Sequence, residues 1–302
     1  MDQVSTSTRN TGAWALVLAS LFWGTTGTAA SFFPANVSPL AVGASTMTVG
    51  GLLLFVVSAR PALQALRDAA SRRWLLLGAL GVFVYPLAFY SSMNLAGVAL
   101  GNVVSLGSGP VFAALLEWLG ERRKLSLRWA LCTAVAVGGV VLLALGGSSA
   151  RRSAGNELAG IGLGLVAGFA YALYTYCSSR GIRSGQAARG VLGAMFGLGA
   201  ILLLPVLLVL GAVLVQSGAT IGIAAYLALG PMFVAYLLFG IGMRNMNSST
   251  ATTITLLEPV VATLLAVLVV GERLAPIGWT GLVLILAAVT VLATVKPGRA
   301  PS

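Results

Sequence analysis

Seven carboxylic acids, two cysteines and no histidine are what this 302-residue chain offers for proton, metal or nucleophile chemistry. Asp2, Asp68, Glu121, Glu157 and Glu272 fall in polar connections or near a terminus, which leaves two acids inside long apolar runs. Glu117 stands within a turn of the polar end of its run, where it can snorkel to an interface or pair with Arg122 or Arg123 in a structural role. Glu258 stands mid-run. A carboxyl at that depth is costly and marks a functional site by default. The plainer reading is a neutral carboxyl hydrogen-bonded to backbone freed by Pro259. As a functional group it would bind an ammonium or a proton.

The same inventory argues against catalysis. Without histidine there is no Ser-His pair and no HExxH motif. Both aspartates lie outside the apolar runs, and no glycine-rich phosphate loop is present. No enzyme, cofactor or metal is expected. A selective ion channel is not expected either, because there is no carbonyl-filter sequence and no ring of intramembrane charge. Cys132 and Cys177 lie in apolar runs outside any redox or metal motif, so both are read as packing residues.

Aromatic and small polar side chains recur on the same runs. Trp23 is on the first, Tyr85, Phe89 and Tyr90 on the third, Tyr171 and Tyr174 on the sixth, and Tyr226, Phe233 and Tyr236 on the eighth. Asn102, Ser105 and Ser108 are on the fourth, and Ser248, Ser249, Thr250, Thr252, Thr253 and Thr255 on the ninth. A buried tyrosine needs a hydrogen-bond partner. Together these residues suggest a cavity lined by rings and hydroxyls with little charge, suited to small amphipathic solutes. The expected binding residues are Trp23, Tyr85, Tyr90, Asn102, Ser105, Tyr171, Tyr174, Phe233, Tyr236, Thr252, Thr255 and Glu258. Pro110 and Pro259 each remove an N–H in mid-run and disturb the bond to Leu106 and Thr255 respectively. Gly107 and Gly109 weaken the helix before Pro110. Irregular backbone at that depth survives only against protein or a water-lined cavity. Gly107, Gly109, Pro110 and Pro259 are therefore the expected hinges or helix breaks.

The elements that position these residues follow from composition. Hydrophobic residues make up 58% and charged residues 8%, against about 25% charged in soluble domains. Runs of about 20 apolar residues suffice to span a bilayer. Ten are present, at about 12–33, 37–57, 74–93, 99–119, 128–146, 158–178, 188–214, 218–242, 247–270 and 276–295. They lack the period-two alternation of a membrane β-barrel. The first is too long for a signal-peptide core and has no A-x-A cleavage pattern, so it reads as a retained helix.

With the N-terminus inside, 15 of the 18 basic residues fall on the cytoplasmic side; Arg151, Arg152 and Arg273 fall opposite. Such bias sets orientation and places both termini in the cytoplasm. The net charge of +11 then serves topology and contacts to anionic lipid headgroups. Nucleic-acid binding would need a basic face on a soluble domain, and none is present.

One pattern occurs twice. Pro110-Val-Phe-Ala-Ala-Leu-Leu116, Glu121-Arg122 and Trp129 reappear as Pro259-Val-Val-Ala-Thr-Leu-Leu265, Glu272-Arg273 and Trp279. Ala19-Ser-Leu-Phe-Trp-Gly24 parallels Ala167-Gly-Phe-Ala-Tyr-Ala172 in the same register. Matching runs are five apart, an odd number, so the copies cross the membrane in opposite directions. The expected fold is an all-α membrane protein of ten transmembrane helices, built as two inverted five-helix repeats around a central cavity. The halves are 1–147 (helices one to five) and 148–302 (helices six to ten), divided in the loop between Gly146 and Glu157. Inverted repeats of this kind place a substrate site near the bilayer midplane. Gly160, Gly164 and Gly168 form one stripe of small residues, and Gly193 with Gly197 another. Both let helices approach closely, for packing within the monomer or for dimerisation.

Tyr226-Leu-Ala-Leu-Gly230, Ala235-Tyr236-Leu-Leu, Ser249-Thr-Ala251, Leu256-Leu-Glu-Pro-Val-Val-Ala262 and Gly271-Glu-Arg-Leu274, with Trp23-Gly24 and Pro110 to Leu116, resemble the drug/metabolite transporter superfamily. The resemblance covers nearly the whole chain. It is to the ten-helix EamA-type exporters, and among them most to the bacterial YddG-type amino-acid exporters. The first repeat departs from the second in having two fewer residues between its proline and its Glu-Arg pair. What the resemblance implies is a bacterial inner-membrane secondary transporter that exports small metabolites, amino acids foremost, by alternating access, as a monomer or homodimer. The alternatives are a multidrug or other metabolite exporter, or, in another class, a non-transporting membrane scaffold.

Overall fold

The computed structural model describes residues 2–34, 36–96, 98–122, 126–146, 157–244, 246–270 and 274–294. Among them there is no strand. The first half contains α1 (Asp2–Ala30), α2 (Pro39–Val57), α3 (Ala59–Arg67), α4 (Ala69–Ala96), α5 (Val98–Glu121) and α6 (Leu127–Gly146). The second contains α7 (Glu157–Arg183), α8 (Ala188–Leu210), α9 (Gly218–Leu227), α10 (Ala235–Met243), α11 (Ser248–Ile254), α12 (Leu257–Leu265) and α13 (Pro276–Thr294). Seven stretches are long and apolar enough to cross a membrane: α1 from Thr11, α2, α4, α7, α8, α9–α10 and α11–α12. The apolar parts of α6 and α13 are shorter. The 24-residue α5 makes the tenth span, about 36 Å long at the helical rise. The protein is thus an all-α membrane protein, and its exposed leucines and valines, Leu158, Leu208, Val209 and Leu268 among them, face lipid.

The packing has a two-fold pattern. Exchanging each span with the one five positions on turns α4–α7 contact into α10–α1 contact, and α5–α7 into α12–α1; all four are extensive. The pairs α2–α8, α6–α13 and α5–α11 map onto themselves. These are the contacts that two inverted repeats make across their shared axis. The dividing point drawn at 147/148 lies outside the described residues.

Two departures from the expected runs have plain causes. The nine-residue α3 is too short to register as a span; its Ala62 and Ala65 are fully buried, and it packs on α8 where Gly190 admits the Pro61 carbonyl. The eighth run is not one regular helix. Pro231 cannot donate its N–H, and Ala228–Val234 winds as a π-helix in which Ala235 N–H reaches the Gly230 carbonyl.

α4 begins at Ala69, five residues before the expected run, because Asp68 caps it. Its carboxylate accepts from the N–H groups of Ala70 and Ser71, both at 3.2 Å, and from Gln186 Nε2 at 3.1 Å. The Ala70 N–H is the main reason that its pKa lies below the ordinary 3.8. A depressed carboxyl pKa adds stability above the unfolded value, and that stability is lost as pH falls through the folded value. Asp68→Ala is expected to lower the melting temperature by a few degrees at neutral pH and by nothing at pH 2, read by thermal unfolding in detergent.

The glycine stripes serve packing within the monomer. A Cβ on Gly160 would sit 2.6 Å from the Ala96 nitrogen of α4, and one on Gly168 would sit 2.7 Å from the Ser105 carbonyl oxygen of α5. Gly193 and Gly197 take Ser58 and Phe55 beside α2 in the same way. Cys132 and Cys177 are buried free thiols.

Candidate functional site

The ninth span breaks just before its acid. In α11 the hydroxyls of Thr252, Thr253 and Thr255 each donate to a carbonyl three or four residues back. Such bonds compete with the helix ladder. The helix stops at a turn through Thr255 and Leu256 and restarts as α12 at Leu257. The Thr255 carbonyl, which Pro259 cannot serve, accepts instead from Glu258 N–H at 2.9 Å. Glu258 therefore enters α12 in its first turn, with its side chain toward the centre of the bundle. Its carboxyl makes no hydrogen bond or ion pair among the described residues.

The centre is a tight cavity of about 80 Å³, below the roughly 300–1,000 Å³ of sites for drug-sized ligands and suited to a small solute. Both halves line it. Its floor and walls come from Trp23 and Thr26 of α1, Gly43, Thr46 and Met47 of α2, and Tyr85, Pro86, Phe89 and Tyr90 of α4. Leu106 of α5, Tyr171 and Tyr174 of α7, Pro231 and Met232 of the π-turn, Tyr236 and Glu258 complete it. The rings form a continuous cluster. Trp23 meets Tyr236 edge-on at 5.1 Å, Tyr171 meets Tyr174 at 5.3 Å, and Tyr85 lies 5.8 Å from Tyr171. Two hydrogen bonds fix this wall: Tyr174 to Tyr236, hydroxyl to hydroxyl, at 2.8 Å, and Tyr171 to Thr255 at 2.7 Å. The hydroxyls of Tyr85 and Tyr90 have no partner among the described residues.

Of the twelve expected binding residues, the cavity gathers Trp23, Tyr85, Tyr90, Tyr171, Tyr174, Tyr236 and Glu258. It does not gather the other five. Thr255 stands behind Tyr171 and positions its ring; Thr252 is fully buried and bonded to the Ser248 carbonyl. Ser105 is fully buried with no partner for its hydroxyl among the described residues, and the Asn102 side-chain oxygen likewise has none there and is not among the cavity residues. Phe233 packs on the hydrophobic core. Residue type alone did not tell which face of its helix each of these five occupies. The α2 contribution of Gly43, Thr46 and Met47 went unread, although Thr46 is a hydroxyl on that run. Gly43 is its informative residue: a Cβ there would meet the Tyr90 ring at 2.6 Å.

The expected breaks divide. The span breaks before Pro259, whereas α5 runs unbroken through Gly107, Gly109 and Pro110. At the register of Thr252, Thr253 and Thr255 the run before Pro110 carries Val103, Val104 and Leu106, and so lacks those three hydroxyl bonds to helix carbonyls. Gly109 instead admits the Tyr171 ring, 2.9 Å from where its Cβ would be. Gly107 has only Val137 nearby.

Glu117 is corrected as well. It neither snorkels nor pairs with Arg122. It is 1% exposed and accepts from Ser248 Oγ at 2.6 Å, Ser249 N–H at 2.9 Å and Ser249 Oγ at 2.8 Å. It faces α11 across the two halves, not the polar end of its own helix. Beside it, Glu121 pairs with Arg183 at 2.6 Å and Arg180 at 3.4 Å, and Arg183 donates to Asn247 at 3.0 Å. The Arg180 and Arg73 guanidinium groups lie 5.0 and 4.9 Å from the Trp74 ring. These contacts close the arginine-rich end of the bundle. The cavity residues of α1, α2, α4 and α5 lie in the middle and in the half away from that end.

Comparison with known proteins gives a consistent answer. The EamA-like transporter family matches residues 10–145 and again 158–294. The chain is similar to the "Uncharacterized transporter YwfM" of Bacillus subtilis (strain 168), at 31% identity over 281 residues and 92% of each chain. A solved protein structure superposes with a TM-score of 0.76 at 21% identity, covering 94% of this chain and 96% of that one. At that identity the likeness speaks of the fold alone.

Proposed function

Because the chain belongs to the EamA-like transporter family of the drug/metabolite transporter superfamily, we propose that it exports small amino-bearing metabolites, amino acids or amines, across a bacterial inner membrane by alternating access. In this reading both termini face the cytoplasm, and the arginine-rich end is the cytoplasmic one. The observation that carries it is the cavity itself. Both halves line it at mid-depth, and one end is closed by contacts that join α5 to α7 and α11. A mid-depth site between two halves, with an end that contacts between the halves can close, is what alternating access requires. The aromatic lining is also compatible with a broader range of amphipathic drugs, and a substrate panel separates the two.

The test is uptake of radiolabelled amino acids and amines into proteoliposomes. Saturable uptake is expected for wild type. Thr26→Trp, which puts an indole into the cavity from α1, is expected to reduce it more than tenfold while the protein remains monodisperse. Folded protein that moves no compound would point to the scaffold, and a plugged variant as active as wild type would put the transport path outside this cavity.

A further inference from the structure

We propose that the cavity selects small organic monocations, amines with no second charge, over zwitterionic amino acids. The inference deepens the transport reading above and rests on it.

Three observations carry it. Glu258 supplies the cavity's one carboxyl, and no Lys or Arg is among the lining residues. That carboxyl is unpaired among the described residues, which leaves it open to a partner on the ligand. Around it stand the rings of Trp23, Tyr85, Tyr90, Tyr171 and Tyr236. Ring faces of Trp and Tyr attract an ammonium, most strongly where water is excluded. An amine entering this space therefore meets a carboxyl and a lining rich in aromatic rings.

A carboxylate on the ligand meets the reverse. It finds no guanidinium or ammonium among the lining residues, a carboxyl at Glu258, and as donors without partners only neutral groups such as the Thr26, Tyr85 and Tyr90 hydroxyls. A charge taken from water without a counter-charge is strongly disfavoured. An α-amino acid would satisfy Glu258 with one end and strand the other. The same molecule without its carboxylate has no such penalty. A neutral analogue would leave Glu258 itself without a partner. The predicted order is therefore monocation first, with zwitterion and neutral molecule well behind.

Three compounds sharing one ring separate these cases: 2-phenylethylamine, phenylalanine and 2-phenylethanol. Binding of labelled 2-phenylethylamine to the purified full chain, competed by the other two, reads the order directly. The amine is expected to bind at least tenfold more tightly than either. Glu258→Gln is expected to cost the amine at least tenfold and 2-phenylethanol less than threefold. If Glu258→Gln does not fold, Tyr90→Leu keeps the carboxyl and removes a ring, and the amine alone is expected to weaken several-fold. Phenylalanine binding as tightly as the amine would overturn the proposal. So would an amine affinity unchanged in Glu258→Gln or Tyr90→Leu. Phenylalanine uptake without amine binding would refute the charge preference and leave the transport reading standing. Folded protein that neither binds nor moves any of the three would refute both.

Discussion

Glu117→Ala is expected to open the arginine-rich end. Three donors converge on that carboxyl, and all three come from the other half of the protein. Hydrogen bonds to a charged group contribute about 1.5–3 kcal/mol each, so a latch of about 4 kcal/mol is a conservative total after the donors regain water on opening. Ten-fold in population corresponds to about 1.4 kcal/mol, so the closed state should lose at least 100-fold of its advantage. The measurement is labelling of Thr252→Cys, in a background without Cys132 and Cys177, by a membrane-impermeant maleimide. Thr252 is fully buried beneath the latch. Labelling should accelerate about 100-fold in Glu117→Ala and by a smaller factor in Glu117→Gln, which keeps the volume and one acceptor. Transport should fall more than tenfold, because a cycle needs this end to close. Unchanged labelling would mean that the latch does not hold the end shut. Glu121→Gln is the contrast. Its partners Arg180 and Arg183 are 31% and 38% exposed, and pairs of that kind contribute about 0–1 kcal/mol, so labelling should change by no more than a few-fold.

Gly168→Leu is expected to abolish the folded protein, while Gly162→Leu on the same helix leaves it intact. A Cβ at Gly168 would press on the Ser105 carbonyl, a backbone atom that cannot rotate away, and on Ser108. The leucine would push α7 off α5 and strip the Tyr171 ring from its seat at Gly109. Overpacking of this kind costs about 1–3 kcal/mol where side chains can yield, and more where backbone must move. Gly162 faces outward with nothing within 4 Å of its Cβ position. Leucine there recovers up to about 1 kcal/mol of helix propensity. Monodisperse yield and melting temperature after detergent extraction check both. Equal outcomes for the two variants would show that the close α7–α5 approach does not hold the bundle.

What was legible and what was not divides along one physical line. Hydropathy and spacing are properties of the chain read in one dimension. Ten apolar runs, the lopsided arginines and the recurring Pro, Glu-Arg and Trp pattern therefore reveal an all-α membrane protein of two opposed halves. Residue type was also enough to bring six rings and Glu258 to one cavity, since rings and an acid at mid-depth have few other places to go. Face and partner are properties of three dimensions. Asn102, Ser105 and Thr252 are as polar as the residues that line the cavity, yet a helix turns 100° per residue and they end on other faces. Glu117 reads as an interfacial acid, because its partners Ser248 and Ser249 are more than 130 residues away in the chain. Pro110 and Pro259 read alike, yet only the second follows three threonines whose hydroxyls bond back to helix carbonyls, and only there does the helix stop. The chain alone determined that this is a two-fold membrane bundle with a scarce acid at its middle. Tertiary packing decided which residues face that acid and which end of the bundle is closed, because both depend on how helices distant in sequence lie against each other.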